Sequence, residues 1–178
     1  MTELILERRF DPPLSPQDVR DMAETSLNCF ALYRVDWNQS FLAADGGRLM
    51  CWLTAPDAES ARLALRQSGV GEHVVWPGSV HDSPAADAPP WQAANVVVER
   101  RWSEPVSLDD IQAIEDEGAG CLDLHRVRFA RTFFSADRKR MICLYQAPDA
   151  ESVRLAQRQA GMPVESVWAC RQVRDPAG

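Results

Sequence analysis

Short apolar runs and helix-spaced apolar stripes follow one another along this chain in an order that occurs twice. Leu4-Ile5-Leu6 opens as a strand and continues into Glu7-Arg8-Arg9-Phe10. Ser15-Pro16-Gln17-Asp18 then carries the signals of a helix start. They are a capping hydroxyl, a proline at the first helical position and an acid near the positive end of the helix dipole. Val19, Met22, Ser26, Leu27 and Phe30 recur at helical spacing and predict one buried stripe. The stretch from Val35 to Leu42 alternates in part, which predicts a strand with Trp37 and Phe41 on one face. Ala44-Asp45-Gly46-Gly47 predicts a turn. Arg48 to Leu53 returns as a strand that is apolar on both faces, hence central in its sheet. A second helix starts at Asp57, with Glu59 in its first turn, and stops at Gly69. Val74-Val75-Trp76 is a last strand.

Residues 7–76 align without gaps on 99–168, at an offset of 92. Glu99-Arg100-Arg101, Ala147-Pro148-Asp149-Ala150-Glu151-Ser152 and Val167-Trp168 repeat their counterparts letter for letter. An offset this constant is one folded unit written twice. The copy keeps Ile111, Ile114 and Leu122 in its first helix but inserts Gly118 and Gly120. Each glycine costs a helix about 1 kcal/mol relative to alanine, which predicts a looser or shorter helix end. Strand, helix, strand, strand, helix, strand is the ferredoxin-like (βαββαβ) α+β unit. Helices cover one face of such a sheet and leave the other bare. The bare faces predict that the two units pack sheet to sheet, as a pseudo-twofold sandwich or α+β barrel. The expected boundaries are repeat 1 over 1–76, a Pro-rich linker over 77–93 (Pro77-Gly78, Ser83-Pro84, Pro89-Pro90) and repeat 2 over 94–178.

Composition narrows the function classes. The net charge of -7, from 26 acids against 19 bases, argues against nucleic-acid binding. The run Arg126, Arg128, Arg131, Arg138, Lys139 and Arg140 reads as a solvated hairpin. No apolar run approaches the roughly 18 residues of a membrane span, so no membrane partner is expected. The opening Met1-Thr2-Glu3-Leu4 lacks the pattern of a signal peptide, which predicts a cytoplasmic protein. Five cysteines without close spacing fit reduced thiols. The internal pseudo-dimer stands as a monomer or associates further as a homo-oligomer.

Several marks recur in both halves. They are a Glu-Arg first strand, a cysteine late in the first helix, and an aromatic followed by Ser/Thr-aromatic in the second strand. A cysteine in the third strand precedes Ala-Pro, and an arginine in the second helix precedes a glycine stop. In the first half these are Glu7-Arg8, Cys29, Trp37 with Ser40-Phe41, Cys51 with Ala55-Pro56, and Arg62 with Gly69. In the second they are Glu99-Arg100, Cys121, Phe129 with Thr132-Phe133, Cys143 with Tyr145 and Ala147-Pro148, and Arg154 with Gly161. With these marks the repeat resembles the small bacterial nickel-responsive-protein-like domains, a family of unknown general function. The resemblance implies a ferredoxin-like fold, dimerisation of single units and, in at least one member, nickel binding. Single-unit members often carry a histidine just before the strand-two serine and another in helix two. This chain has Gln39 and Arg131 at the first position and Ala64 and Ala156 at the second, so nickel itself is not carried over.

Three functional readings follow. The first is binding of a metal ion or small ligand in a cavity between the two sheets. Cys51 and Cys143, with Glu7 and Glu99 nearby, would be the ligands of a divalent metal, since thiolates and carboxylates hold such ions. Against this stands the reading of both cysteines as small buried hydrophobes. Trp37, Gln39 and Phe41, continued by Phe129, Arg131 and Phe133, would line an apolar pocket with few polar anchors. Tyr145 adds a hydroxyl, and Arg131 would pair with an anionic group. The second reading is a cofactor-independent enzyme of the dimeric α+β barrel type, for which Glu7, Glu99 and His125 are the candidate acids and bases. Glu7-Arg8-Arg9 reads more simply as salt-bridged strand ends. The third is a protein-interaction scaffold. The differences Gln39 against Arg131, Leu53 against Tyr145 and Tyr33 against His125 are where specialised chemistry is expected.

Overall fold

The computed structural model describes residues 1–174, and these form an α+β chain of eight strands and four α-helices. They divide into two compact units. One is Met1–Gly78 together with the chain end from Arg171, and the other is Ser79–Cys170.

The first unit contains β1 (Thr2–Arg9), α1 (Pro16–Leu32), β2 (Asp36–Ala43), β3 (Arg48–Ala55), α2 (Ala58–Gln67) and the first half of β4 (Val74–Asp82). Its strands are antiparallel in the order β4-β1-β3-β2, the arrangement of the split βαβ unit. β3 is central, as its two apolar faces predict. Leu4 stands opposite Leu53, and Leu6 opposite Cys51. With Leu42 and Leu49 they form one face of the sheet, which packs on Val19 of α1 and on Ala61, Ala64 and Leu65 of α2.

The second unit contains β5 (Val96–Arg101), α3 (Leu108–Leu124), β6 (Arg128–Ser135), β7 (Arg140–Gln146), α4 (Ala150–Gln159) and most of β8 (Ser166–Val173). Its strand order is β8-β5-β7-β6. Val96, Val98, Met141, Cys143 and Tyr145 form the equivalent face, packed on Ile111 of α3 and on Val153 and Ala156 of α4.

Local chemistry sets the helix limits. Ser15 accepts from the Asp18 backbone N–H at 3.2 Å, and Asp18 accepts from the Ser15 N–H at 2.7 Å, a closed capping box. Asp57 and Asp149 cap α2 and α4 by accepting from the N–H groups of Ser60 and Ser152, both at 2.7 Å. At the other end Gly69 and Gly161 both take φ +70°, where a side chain would be strained.

Three expectations need correction. β4 runs on through Pro77 and Gly78 to Asp82, into the stretch read as irregular. Proline suits extended backbone and costs a strand only where its N–H would donate. A bulge between Trp37 and Gln39 turns Trp37 away from the face of Phe41. The second unit repeats this bulge between Phe129 and Arg131. Finally, α3 is as long as α1, 17 residues each. Its glycines do not shorten it. Gly118 instead allows close packing, because a Cβ there would stand 2.5 Å from the Ala160 Cβ.

Candidate functional site

Arg8 follows Leu6 by two residues in β1 and so points to the sheet face that α1 and α2 cover. It lies where two spaces meet. One is an apolar pocket of about 60 Å³ among Leu6, Val19, Trp37, Leu53, Leu65 and Val70. The other is an open groove of about 420 Å³ lined by Asp18, Asp21, Thr25, Ser26, Ser68 and Gly69. Arg8, Met22, Ser26 and Val70 line both.

The guanidinium of Arg8 has little to bind. Its Nη1 reaches Met22 Sδ at 3.6 Å, and its Cζ sits 4.5 Å from the centre of the Phe10 ring. Its Nε is buried without a hydrogen-bond partner. Among the described residues no carboxylate or carbonyl oxygen accepts from it. Burial therefore lowers its pKa below the usual guanidinium value, with Cys51 offsetting part of the effect. At the pocket floor Trp37 Nε1 donates to Ser40 Oγ at 2.9 Å, and Ser40 Oγ lies 2.8 Å from Cys51 Sγ. Burial pushes the Cys51 thiol up to about 11, against the weaker opposite pulls of Ser40 and Arg8, so it stays protonated at neutral pH.

The second repeat closes side chains around its own arginine. Arg100, the counterpart of Arg8, is only 1 % exposed. It donates to Pro163 O at 2.7 Å, to Gln157 Oε1 at 2.7 Å and to Tyr145 Oη at 3.2 Å. Tyr145 stands where the first repeat has Leu53, and Gln157 where it has Leu65. Glu115 replaces Ala23. Burial raises the Glu115 pKa, and its attraction to Arg100 works against that rise. Gly118 and Ala160, in contact, replace Ser26 and Ser68, two of the groove residues. The second unit keeps open space around this place, about 270 Å³ bordered by Ile111, Glu115, Phe129, Thr132 and Met141 and about 340 Å³ bordered by Gln157 and Met162, but Arg100 lines neither.

This contrast predicts unequal costs for matched exchanges. Gly118→Ser should destabilise by about 1–3 kcal/mol through overpacking on Ala160. Ser26→Gly should cost only about the 1 kcal/mol of helix propensity or less. Urea unfolding midpoints of the two variants check this.

The residues singled out in the sequence fall in different places. Trp37 and Cys51 line the pocket. Gln39 and Phe41 are buried on the opposite face of the sheet. Gln39 Nε2 donates to Ser40 O at 3.0 Å and to Val173 O at 2.9 Å. Phe129 lies on the helix-covered face, 5.6 Å from the Tyr145 ring, whereas Arg131 and Phe133 lie on the other. Arg131 grips Asp82 with Nε at 2.6 Å and Nη2 at 2.9 Å, and its Cζ stacks 5.0 Å from the Trp91 ring centre. The anion expected of an external ligand is thus matched by Asp82 within the chain. Glu7 accepts from the Trp76 indole N–H, and Glu99 from that of Trp168 at 2.8 Å. Arg8 and Arg100 point to the sheet face opposite that of Glu7 and Glu99, because adjacent strand residues alternate. Cys143 sits fully buried 3.3 Å from Thr132 Oγ1, and burial raises its pKa. Sequence reasoning missed Arg8 itself and the exchanges of Leu65 for Gln157 and Ala23 for Glu115. Their signal was present, as inequalities between aligned positions.

A family model described as nickel responsive protein SCO4226-like matches residues 5–77 and 97–170. The chain belongs to this family. Among solved structures it is similar to SCO4226 from Streptomyces coelicolor A3(2), at 18% identity and TM-score 0.38, over 42% of this chain and 91% of that one. It is also similar to a chlorite dismutase from Candidatus Nitrospira defluvii, at 11% identity and TM-score 0.50, over 96% and 90% of the two chains. A putative chlorite dismutase, TA0507, aligns at 13% identity and TM-score 0.48, over 97% and 94%. At such identities the likeness is one of fold. No curated protein is similar enough to count as a match.

The donors of this SCO4226-like chain do not fit the metal in the family's name. Its two strand thiols are held protonated by burial, each in the helix-side core of its own unit. Glu7 points away from Cys51, since the residue before it, Leu6, is the one opposite Cys51. Among the described residues no group of three or more His, Cys, Asp or Glu side chains is placed to hold a metal ion. No described helix is long and apolar enough to cross a membrane.

Proposed function

We propose that this protein binds a small organic ligand in the helix-covered pocket of its first repeat. One observation carries the reading. The duplicated site exists in two versions, one with the terminal nitrogens of Arg100 bound by oxygens of Tyr145, Gln157 and Pro163, the other with Arg8 reaching only Met22 Sδ and the Phe10 ring beside open apolar space. A buried polar atom without a partner is costly and uncommon in a folded protein. The second repeat gives both terminal nitrogens of its arginine oxygen acceptors, although the Nε of Arg100, like that of Arg8, has none. A concave apolar pocket with one polar anchor is the usual composition of a small-molecule site.

Binding suits the residues better than bond-making. The titratable groups lining the apolar pocket are Arg8 and Cys51, and the thiol is kept protonated. A general base would have to be close to neutral pKa and within hydrogen-bond reach of the ligand.

A fragment screen observed by methyl and amide NMR tests the reading. Binders should shift signals of Leu6, Ala23, Leu27 and Leu65 and leave those of Val98, Ala119 and Ala156 in place. Binders that cluster on the second repeat instead, or a broad screen without binders, would overturn it.

A further inference from the structure

The chemistry around Arg8 also selects among ligands. Among the described residues the guanidinium is the only cation lining either the pocket or the groove. Its planar fork matches a carboxylate through two parallel hydrogen bonds. The groove carries two acids, Asp18 and Asp21. Hydrogen bonds from Ser15 hold Asp18 below the usual carboxylate range, so it is ionised at neutral pH. Asp21 accepts from Gln17 Nε2 at 2.7 Å. The two acids repel a dianion such as a phosphate monoester more than a ligand with a single negative charge. The apolar pocket, about 60 Å³, is well under the size that admits a benzene ring, roughly 150 Å³. It suits a short alkyl group.

We propose that the ligand is a short-chain aliphatic monocarboxylic acid, its carboxylate on the fork of Arg8 and its alkyl end among Leu6, Leu53 and Leu65. This rests on the reading of the first-repeat pocket as the binding site. The second repeat supports the assignment from within the chain. Around Arg100 the oxygens of Gln157 and Tyr145 both accept from one nitrogen of the donor fork, Nη2, and they do so from the positions of Leu65 and Leu53. A carboxylate would bring two acceptor oxygens to the same fork in the first repeat, where those side chains bring none.

Isothermal titration of the full chain with 4-methylpentanoate, 4-methylpentanamide and isopentyl phosphate tests this. The acid should bind at least about tenfold more tightly than the amide or the phosphate, the size expected of a charge-assisted pair. Arg8→Gln should weaken the acid by a similar factor and leave the amide unchanged, and Arg8→Lys, which keeps the charge but not the fork, should fall between. Equal binding of acid and amide would overturn the carboxylate and leave the pocket reading standing. Tighter binding of the phosphate would overturn the single charge. If none of the three binds, xenon uptake separates the cases. Uptake in the first repeat retires the carboxylate alone, and failure of uptake retires the pocket as well.

Discussion

Arg100→Met is expected to lower the unfolding free energy by about 3–5 kcal/mol, while Arg8→Met leaves it unchanged or slightly higher. The two arginines share a strand position, an identical Glu-Arg-Arg context and the same sheet face. What differs is what surrounds them. Removing Arg100 leaves the Gln157 and Tyr145 oxygens and the Pro163 carbonyl without their donor in a closed interior. It also leaves Glu115 without the cation that opposes the burial-driven rise of its pKa. Each buried group left unpaired costs about 1–3 kcal/mol, and an uncompensated buried charge costs more. Removing Arg8 strands nothing of the kind. It deletes a partly desolvated charge whose only hydrogen-bond contact among the described residues is a 3.6 Å approach to Met22 Sδ. Methionine keeps the length and the packing on Phe10. Chemical denaturation of the two single variants reads the difference, and equal losses would contradict it.

The second large effect concerns refilling. Leu53→Tyr combined with Leu65→Gln should abolish ligand binding and leave the chain folded, with stability unchanged or raised by about 1 kcal/mol. The second repeat shows the intended outcome, a tyrosine hydroxyl and a glutamine oxygen both within 3.2 Å of an arginine Nη2. The introduced ring takes the apolar space beneath Arg8, and the two oxygens supply the acceptors it lacks. Titration with any ligand found for the wild-type chain checks the loss. A circular dichroism melt confirms that the double variant still folds. Retained affinity in a folded double variant would move the site elsewhere.

Much of this architecture could be read before any coordinates. Caps, turns and stops are local chemistry, and Ser15, Asp57, Asp149, Gly69 and Gly161 do what their side chains dictate. The strand bulge was not legible, because a period of two cannot reveal one extra residue. The pocket was half legible. Leu53 against Tyr145 stood out as an unequal pair, yet Arg8 and Arg100 looked alike. Their difference lies in partners 45 and 57 residues away from Arg100, a distance that spacing rules do not cross. Gly118 misled for a related reason. Its helix cost is local, but its use is a contact with Ala160 in another helix.

The central claim is that the space beside the strand arginine is open in the first repeat and filled in the second. A crystal of the protein pressurised with xenon tests it directly, since dry apolar cavities take up xenon. The account predicts a xenon site among Leu6, Val19, Leu53 and Leu65, and none among Val98, Arg100, Tyr145 and Gln157. Xenon absent from the first repeat, or equally present in both, would contradict it.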